Sequence, residues 1–272
     1  MSKILLTGSS GFIGSNIINC LNKKYEFYVI VRNKPKKKIL KKKNIHVIHF
    51  KSFESLNSQL KKIKVNTVIH CATHYVKNHK FSDLKKFCYS NLLLGNIILE
   101  NLENLRATKF INFSTVWEDA NAKMNNSENL YAAYKKSFST ILGFYKKKLT
   151  KVNFYELMIS DTFGKNDFRK KIVNILRLNY QKKKTTKIVS KNLFINLLNV
   201  LDIVEAIKLI LDRKIIPKKY TLKNKFNTKI FNLIKIFNKQ NKKKLKVKWL
   251  SNQLIKDKIY QYDNLKGWKP NN

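Results

Sequence analysis

Two side chains four residues apart, Tyr131 and Lys135, have the types and spacing of an acid–base pair. The sequence around them is of helical character, and residues four apart on a helix share one face. A phenol is a poor acid–base group at neutral pH because its ordinary pKa is about 10, but an adjacent ammonium stabilises the phenolate and lowers that pKa. We therefore expect Tyr131 to protonate a substrate carbonyl oxygen, with Lys135 lowering its pKa. The alternative is an aromatic residue beside one of many lysines.

A glycine-rich segment, TGSSGFIG, separates a short apolar run at residues 4–6 from a run with helical spacing. A second apolar run at residues 27–31 then predicts another strand. In such a strand–turn–helix unit, glycines permit a tight turn, let the backbone approach a pyrophosphate and let the helix pack close to the strand. A merely structural turn is the alternative. The residues of this segment that we expect to bind a nucleotide cofactor are Gly8, Gly11, Phe12, Ile13 and Gly14.

The second predicted strand ends in Arg32 rather than in an acidic residue. A carboxylate there would accept hydrogen bonds from the adenosine ribose of NAD and would repel a 2′-phosphate, whereas Arg32, backed by Lys34, can pair with that phosphate. This position favours NADP(H) as the cofactor, with NAD(H) as the alternative. The competing interpretation is that Arg32 belongs to the general cationic excess.

With these motifs, the chain resembles the extended short-chain dehydrogenases/reductases, the nucleotide-sugar epimerase/dehydratase group. The resemblance spans nearly the whole chain, because VIHCA at residues 68–72, Asn91 four residues before Gly95, and NVLD at residues 199–202 also match. Within the group, the segments VIHCATHY, FINFSTVWED, NLYAAYKKSF and DTFGKNDFRKK are most similar to the CDP-abequose-synthase-like 4-ketohexose reductases.

The resemblance implies an α/β fold, with a Rossmann doubly wound parallel sheet and a smaller C-terminal substrate lobe. We expect a cofactor-binding domain over residues 1–160 and a lobe over residues 161–272, with some of the chain returning to the first domain. It also implies that Ala72 binds the cofactor, that Thr73 binds substrate, and that Lys135 hydrogen-bonds the nicotinamide ribose. The implied substrate is a nucleotide-diphosphate sugar, in surface polysaccharide biosynthesis.

A third group, a Ser or Thr near the end of a strand, should donate a hydrogen bond to the substrate oxygen that Tyr131 protonates. Counting four residues back from the aromatic residue, as the family pattern suggests, reaches Phe113, which has no donor. Ser114 and Thr115 follow at once, and both are candidates. Thr115 matches a threonine of the reductase-like subgroup, so it is the preferred one. A turn residue or helix cap is the alternative for either hydroxyl.

The residues after the hydroxyl separate reaction types. Dehydratases of the family carry an Asp-Glu pair directly after the catalytic threonine, because eliminating water needs an additional acid and base. Val116 and Trp117 occupy those places here, so elimination is disfavoured and carbonyl reduction or epimerisation remains. Glu118 and Asp119 come too late by register and are expected to be loop residues.

Two further features concern the shape of the pocket and the substrate lobe. Tyr134 stands where the family has a small hydroxyl residue, and we expect its bulk to narrow the pocket. Residues 169–178 predict a basic amphipathic helix over the site. The candidates there for contact with a nucleoside diphosphate are Thr162, Asn166 and Arg169. A solvated basic helix is the alternative.

The net charge of +41 raises the question of a nucleic-acid partner. All but five of the 57 basic residues are lysines, which run along most of the chain and suit bidentate readout less well than arginine. Nucleic acid is therefore disfavoured as a partner, and compositional drift explains the lysines better. A non-catalytic Rossmann protein that senses nucleotides or binds RNA is the alternative function.

Three cysteines, Cys20, Cys71 and Cys88, predict neither a disulfide framework nor a zinc or other metal site, because their number is odd and their spacing is not that of metal ligands. No apolar run is long enough for a membrane span, and the N-terminus enters the glycine motif at once, so we expect a cytoplasmic protein. The resemblance implies a homodimer packed through the helices near Asn91 and Tyr131.

Overall fold

A computed structural model describes residues 1–32, 42–119, 127–241, 244–255 and 262–271. Its centre is a seven-stranded sheet with the strand order β11-β6-β5-β4-β1-β2-β3, in which every neighbouring pair is parallel. The strands of this sheet are β1 (Lys3–Thr7), β2 (Glu26–Val31), β3 (Ile45–His49), β4 (Thr67–His70), β5 (Lys109–Thr115), β6 (Asn153–Ile159) and β11 (Lys219–Leu222). The predicted α/β Rossmann fold class is confirmed.

Helices cover both faces of the sheet, as parallel strands with near-continuous apolar runs require. The helices are α1 (Phe12–Leu21), α2 (Phe53–Leu60), α3 (Leu84–Phe87), α4 (Leu94–Glu100), α5 (Leu102–Leu105), α6 (Leu130–Lys148), α7 (Ile172–Gln181), α8 (Val200–Asp212) and α9 (Ile230–Lys239). One buried apolar cluster joins α1 and α8 to one face of the sheet, and a second joins α2, α4 and α6 to the other.

The helix that carries Tyr131 and Lys135, α6, packs tightly on α4. A Cβ added at Gly95 would lie 2.4 Å from the ring of Phe138, so only glycine lets the two helices approach this closely. A π-helical segment, Cys88–Leu93, precedes α4 and carries Asn91. The side chain of Asn91 accepts a hydrogen bond from the backbone N–H of His74 at 2.6 Å and donates one to its carbonyl at 3.1 Å. These bonds join the segment after β4 to the π-helical segment, which in turn contacts α6.

Beyond β6 the chain builds short paired strands and a third apolar cluster around α7 and α9. These short strands are β7 (Asp161–Phe163), β8 (Thr186–Ile188), β9 (Phe194–Ile195), β10 (Leu197–Asn199), β12 (Thr228–Lys229) and β13 (Val247–Trp249). Part of this half returns to the large sheet, because β11 pairs with β6 and the indole of Trp268 donates to the carbonyl of Asp202 at 2.8 Å. The division at residue 160 stays a prediction.

Two expectations about local structure are corrected. The predicted helix over residues 169–178 begins only at Ile172, so Arg169 lies in the loop before it. Glu118 is not an exposed loop residue, because residues Val116–Asp119 form a 3-10 turn in which Glu118 is fully buried. None of the described helices is long and apolar enough to cross a membrane.

Candidate active site

A cleft of about 720 Å³ opens where the carboxyl ends of β1, β2, β4 and β5 meet. From β1 the chain adds β2 and β3 on one side of the sheet and then β4 to β6 on the other, so the strand order reverses between β1 and β4. Open α/β sheets bind ligands at such a switch point. The residues predicted from sequence that line the cleft are Gly8, Gly11, Phe12, Ile13, Gly14, Arg32, Ala72, Thr73, Ser114, Thr115, Tyr131, Lys135, Thr162 and Arg169. One predicted residue, Asn166, is exposed in a turn with φ +62° and is not part of this lining.

The glycine loop has the shape of a phosphate cradle. Gly8 has φ +69°, and a Cβ there would lie 2.8 Å from the backbone nitrogen of Ala72. A Cβ at Gly14 would lie 2.4 Å from the carbonyl oxygen of Gly8, so α1 packs directly on the turn. Gly11 caps α1, and the helix N-terminus opens at the cleft. These contacts fit a dinucleotide pyrophosphate held by backbone N–H groups.

A buried polar pair supports the loop from β4. The Thr7 hydroxyl lies 3.0 Å from Nδ1 of His70 and accepts a hydrogen bond from the backbone nitrogen of Ala72 at 3.0 Å. Burial, with the charge of Lys135, lowers the pKa of His70 to about 3, so the imidazole is neutral. The end of β1 is thereby tied to the first residues after β4.

Helix α6 brings Tyr131 and Lys135 to the cleft. Its first turn is capped by Asn129, whose side chain accepts a hydrogen bond from the backbone nitrogen of Ala132 at 3.0 Å. Lys135 is buried, and its ammonium donates to the carbonyl oxygen of Phe113 at 2.8 Å. Burial lowers the pKa of Lys135 to about 8, although the charge of Glu118 opposes this shift. The helix is therefore joined to β5 by a charged hydrogen bond.

The expected effect of Lys135 on Tyr131 is corrected. The pKa of Tyr131 is raised, not lowered, first because the phenol is buried and then because of Glu118 and Tyr75; a hydrogen bond with Thr73 and the charge of Arg169 oppose the rise. The ammonium of Lys135 is held by Phe113 instead. Tyr131 is consequently a neutral phenol near pH 7, which is the form that donates a proton.

Two hydroxyls follow Phe113 at the end of β5. Ser114 Oγ is buried and has no hydrogen-bond partner among the residues that the structure describes. Thr115 Oγ1 accepts a hydrogen bond from the backbone nitrogen of Trp117 at 3.3 Å. Both residues line the cleft, so the structure brings both candidates to the site and leaves the hydroxyl of Ser114 the less engaged of the two.

A group of aromatic and cationic side chains beside Tyr131 was not predicted from the sequence. The ring of Tyr75 meets that of Tyr131 edge-on, with centroids 4.9 Å apart. The ammonium of Lys171 lies 4.7 Å from the centroid of Tyr75 and 4.5 Å from that of Trp117, and it pairs with Asp161 at 3.1 Å. These residues all line the cleft. No local pattern predicts this group, because its members come from four separate segments.

Arg169 lines the cleft beside Phe12 and is held by several hydrogen bonds. Its guanidinium donates to both carboxylate oxygens of Asp167 at 2.8 Å and to the hydroxyl of Thr162 at 2.8 Å. The same guanidinium lies 4.1 Å from the centroid of the Phe12 ring. Arg169 therefore connects β7, through Thr162, with the glycine loop, through Phe12.

Two other expectations concern the rim. Arg32 is exposed and lines the cleft at the end of β2, while Lys34, expected to support it, lies outside the described residues. Tyr134 does not narrow the cleft: its ring stacks on that of Phe87 at 5.1 Å, and its hydroxyl lies 3.2 Å from Sγ of Cys88. Tyr134 is absent from the lining because it lies on another face of α6 than Tyr131.

Solved structures of sugar-nucleotide enzymes share this fold. UDP-N-acetylglucosamine 4-epimerase from Methanobrevibacter ruminantium M1, in complex with UDP-N-acetylmuramic acid, has a TM-score of 0.81 at 17% identity, covering 99% of this chain and 93% of that one. UDP-glucuronic acid 4-epimerase from Bacillus cereus, in complex with UDP-glucuronic acid and NAD, has a TM-score of 0.76 at 20% identity, covering 92% of this chain and 86% of that one.

Sequence comparison identifies the family. CDP-abequose synthase of Yersinia pseudotuberculosis is 30% identical over 207 residues, which are 75% of this chain and 71% of that protein. The NAD dependent epimerase/dehydratase family matches residues 4–222. The predictions of an enzyme and of an extended short-chain dehydrogenase/reductase are confirmed. The chain belongs to the NAD dependent epimerase/dehydratase family.

Proposed function

We propose that this protein is an NAD(P)-dependent reductase or epimerase of a nucleotide-activated sugar, and that reduction of a keto sugar is its main reaction. The observation that carries the proposal is that one cleft is lined by a neutral phenol, Tyr131, by a buried hydroxyl without a partner among the described residues, Ser114, and by the glycine loop. The first group donates a proton, and the second donates a hydrogen bond to the same oxygen.

The glycine loop would hold a nicotinamide cofactor, which when bound would supply or accept the hydride. Tyr131 donates its phenolic proton to the substrate oxygen, and Ser114 or Thr115 orients that oxygen. Lys135 would hydrogen-bond the nicotinamide ribose of that cofactor, as the family resemblance implies. Ala72, whose backbone lies against the tight turn at Gly8, lines the cleft together with the glycine loop.

Two observations favour reduction over the other reactions of the family. Reduction starts from a protonated acid, and the raised pKa of Tyr131 keeps it protonated, whereas epimerisation by oxidation starts from a base. Elimination needs an acid and a base after the hydroxyl, and the cleft has Trp117 there. The similarity to CDP-abequose synthase supports a 4-keto sugar as substrate and a role in supplying sugars for surface polysaccharides.

We infer NADP(H) as the preferred cofactor, because Arg32 lines the cleft at the end of β2, where a carboxylate would exclude a 2′-phosphate. Thr73, next to Tyr131, and the Thr162–Arg169 pair are the residues that we assign to the nucleotide sugar. The exposed Asn166 is left out of this assignment. Dimerisation through the helices near Asn91 and Tyr131 stays a prediction.

A substrate screen tests the proposal. The purified protein is mixed with NADPH or NADH and with CDP-, dTDP-, UDP- and GDP-linked 4-keto-6-deoxyhexoses, and cofactor oxidation is followed by absorbance. We expect stoichiometric oxidation with at least one of them. In a second arm with NAD+ or NADP+ and the corresponding nucleotide sugars that carry a 4-hydroxyl, conversion to the epimer without net change of the cofactor would replace reduction by epimerisation. Binding of NADPH with no turnover of either kind would contradict the proposal.

A further inference from the structure

The turn after the site hydroxyls buries a carboxylate that no part of the proposed reaction uses. Glu118 is fully buried, and one of its carboxylate oxygens accepts a hydrogen bond from the ammonium of Lys219 on β11 at 3.0 Å. Its two oxygens also lie 3.4 and 3.3 Å from the hydroxyl of Ser139 on α6, which donates to them. A buried charge is costly unless it is paired, so this carboxylate needs both partners.

The position of Ser139 connects this carboxylate to the site. Tyr131, Lys135 and Ser139 follow one another at intervals of four and therefore share one face of α6. Lys135 joins that face to the Phe113 carbonyl, and Ser139 joins it to Glu118, five residues further along the chain. The two contacts fix the rotation of α6 about its axis and its position along that axis relative to the end of β5.

The surrounding charges form a connected buried group. Glu156 on β6 lies in register with Lys219 and pairs with Lys146 of α6 at 2.8 Å. The ring of Tyr262 lies 5.0 Å from the ammonium of Lys219. Burial lowers the pKa of Lys219, but Glu118 and Glu156 outweigh burial and raise it. Lys219 consequently stays protonated and neutralises one buried carboxylate.

We propose that Glu118 is a positioning residue of the reaction, whose buried carboxylate holds the Tyr131–Lys135–Ser139 face of α6 against the end of β5 through Ser139. This inference rests on the proposed function for its kinetic consequences only. The geometry gives Glu118 a role through α6, since it is not part of the cleft lining.

The negative charge of Glu118 shifts the pKa of Lys135 and that of Tyr131 in the same direction. Burial raises the pKa of Glu118, and Lys219 opposes that shift. Glu118 in turn raises the pKa of Lys135, against the larger lowering by burial, and it adds to the rise in the pKa of Tyr131. Removing the charge should therefore lower the pKa of both Lys135 and Tyr131.

The first experiment needs no substrate. Protein with 13C-labelled lysine is titrated by NMR, and the Lys135 resonance is identified by its absence from Lys135→Met. In the wild-type protein we expect a midpoint of about 8. Glu118→Gln should lower it by about one pH unit, whereas the matched variant Asp119→Asn, which removes the neighbouring acid that pairs with Lys136, should leave it unchanged. An unchanged midpoint in Glu118→Gln would show that the carboxylate is not held close to the Lys135 face of α6 and would overturn the proposal.

The second experiment is kinetic. Glu118→Gln should lower kcat for keto-sugar reduction about tenfold and leave the Kd of NADPH within about threefold. It should also move the fall of kcat at high pH to lower pH, because the pKa values of Lys135 and Tyr131 are lowered. Ser139→Ala, which keeps the charge, should lower kcat without moving that fall. Wild-type kcat in both variants would overturn the positioning role. If Glu118→Gln does not fold, wild-type kcat in Ser139→Ala alone overturns the positioning role. A wild-type protein that shows the expected NMR shift but reduces no keto sugar would instead refute the proposed function.

Discussion

The ammonium of Lys135 donates a hydrogen bond to the carbonyl oxygen of Phe113 at 2.8 Å. This bond joins α6, which carries Tyr131, to the end of β5, which carries Ser114 and Thr115. Phe113 has no hydroxyl, and the sequence pattern marks it as the residue that breaks the family motif. Its backbone nevertheless holds the lysine, so the departure at this side chain leaves the anchoring of α6 intact. The proposed function assigns the hydrogen bond to the substrate oxygen to Ser114 or Thr115.

The glycine loop gives the first prediction. Gly14→Ala would place a Cβ 2.4 Å from the Gly8 carbonyl oxygen, so we expect the free energy of unfolding to fall by about 1–3 kcal/mol and NADPH binding to weaken. Gly143→Ala is the matched control, since a Cβ there meets nothing within 4 Å on α6. That change should raise the free energy of unfolding by about 0.5–1 kcal/mol. Urea unfolding measures both; equal effects would contradict the packing argument.

The second prediction concerns the cofactor. Arg32→Asp should weaken NADPH binding about tenfold to a hundredfold and strengthen NADH relative to it, because a charge-assisted hydrogen bond is lost and a repulsion is introduced. Arg177→Asp, on the exposed side of α7 outside the cleft, changes the charge equally and should leave the preference unchanged. Fluorescence titration with both cofactors decides, and equal wild-type affinities would remove the role of Arg32.

The third prediction separates the two hydroxyls. Ser114→Ala should lower kcat/KM about tenfold, because the buried Oγ has no partner among the described residues and is available to the substrate. Thr115→Val should have a smaller effect, since its hydroxyl already accepts a hydrogen bond from the Trp117 backbone. The opposite order would return the role to Thr115, the residue that the sequence favours.

The fourth prediction is a pH dependence of stability. The folded pKa of Lys135 is about 8, below its ordinary value of 10.5, so the unfolded chain binds more protons between these values. The buried charge costs about 3 kcal/mol below pH 8, and this cost is relieved as pH rises to 10.5. The stability of the wild-type protein relative to Lys135→Met should therefore increase from about pH 8 to 10.5 in urea unfolding. A constant difference would show that Lys135 has an ordinary pKa.

Local patterns predicted the parts of the site that one segment builds. The turn at Gly8 and the shared face of Tyr131 and Lys135 depend on spacing within one segment, and the structure places them accordingly. No local pattern predicted the contact of Lys171 with Tyr75, because these residues lie far apart in the chain and only the tertiary fold brings them together.

Burial accounts for the errors as well. Glu118 was expected in a loop because it comes too late by register for the dehydratase role, but Lys219, 101 residues further along the chain, pairs with it inside the protein. The pKa of Tyr131 was expected to fall because only its neighbour Lys135 was considered; desolvation, which no local pattern shows, raises it.

The most direct test of the account is Tyr131→Phe, which removes only the phenolic oxygen. We expect NADPH affinity and the free energy of unfolding to stay close to those of the wild-type protein while keto-sugar reduction falls about 100-fold or more, because the proton donor is gone. Tyr134→Phe makes the same change on the same helix outside the cleft and should keep wild-type turnover. Undiminished reduction by Tyr131→Phe would contradict the assignment of Tyr131 as the acid.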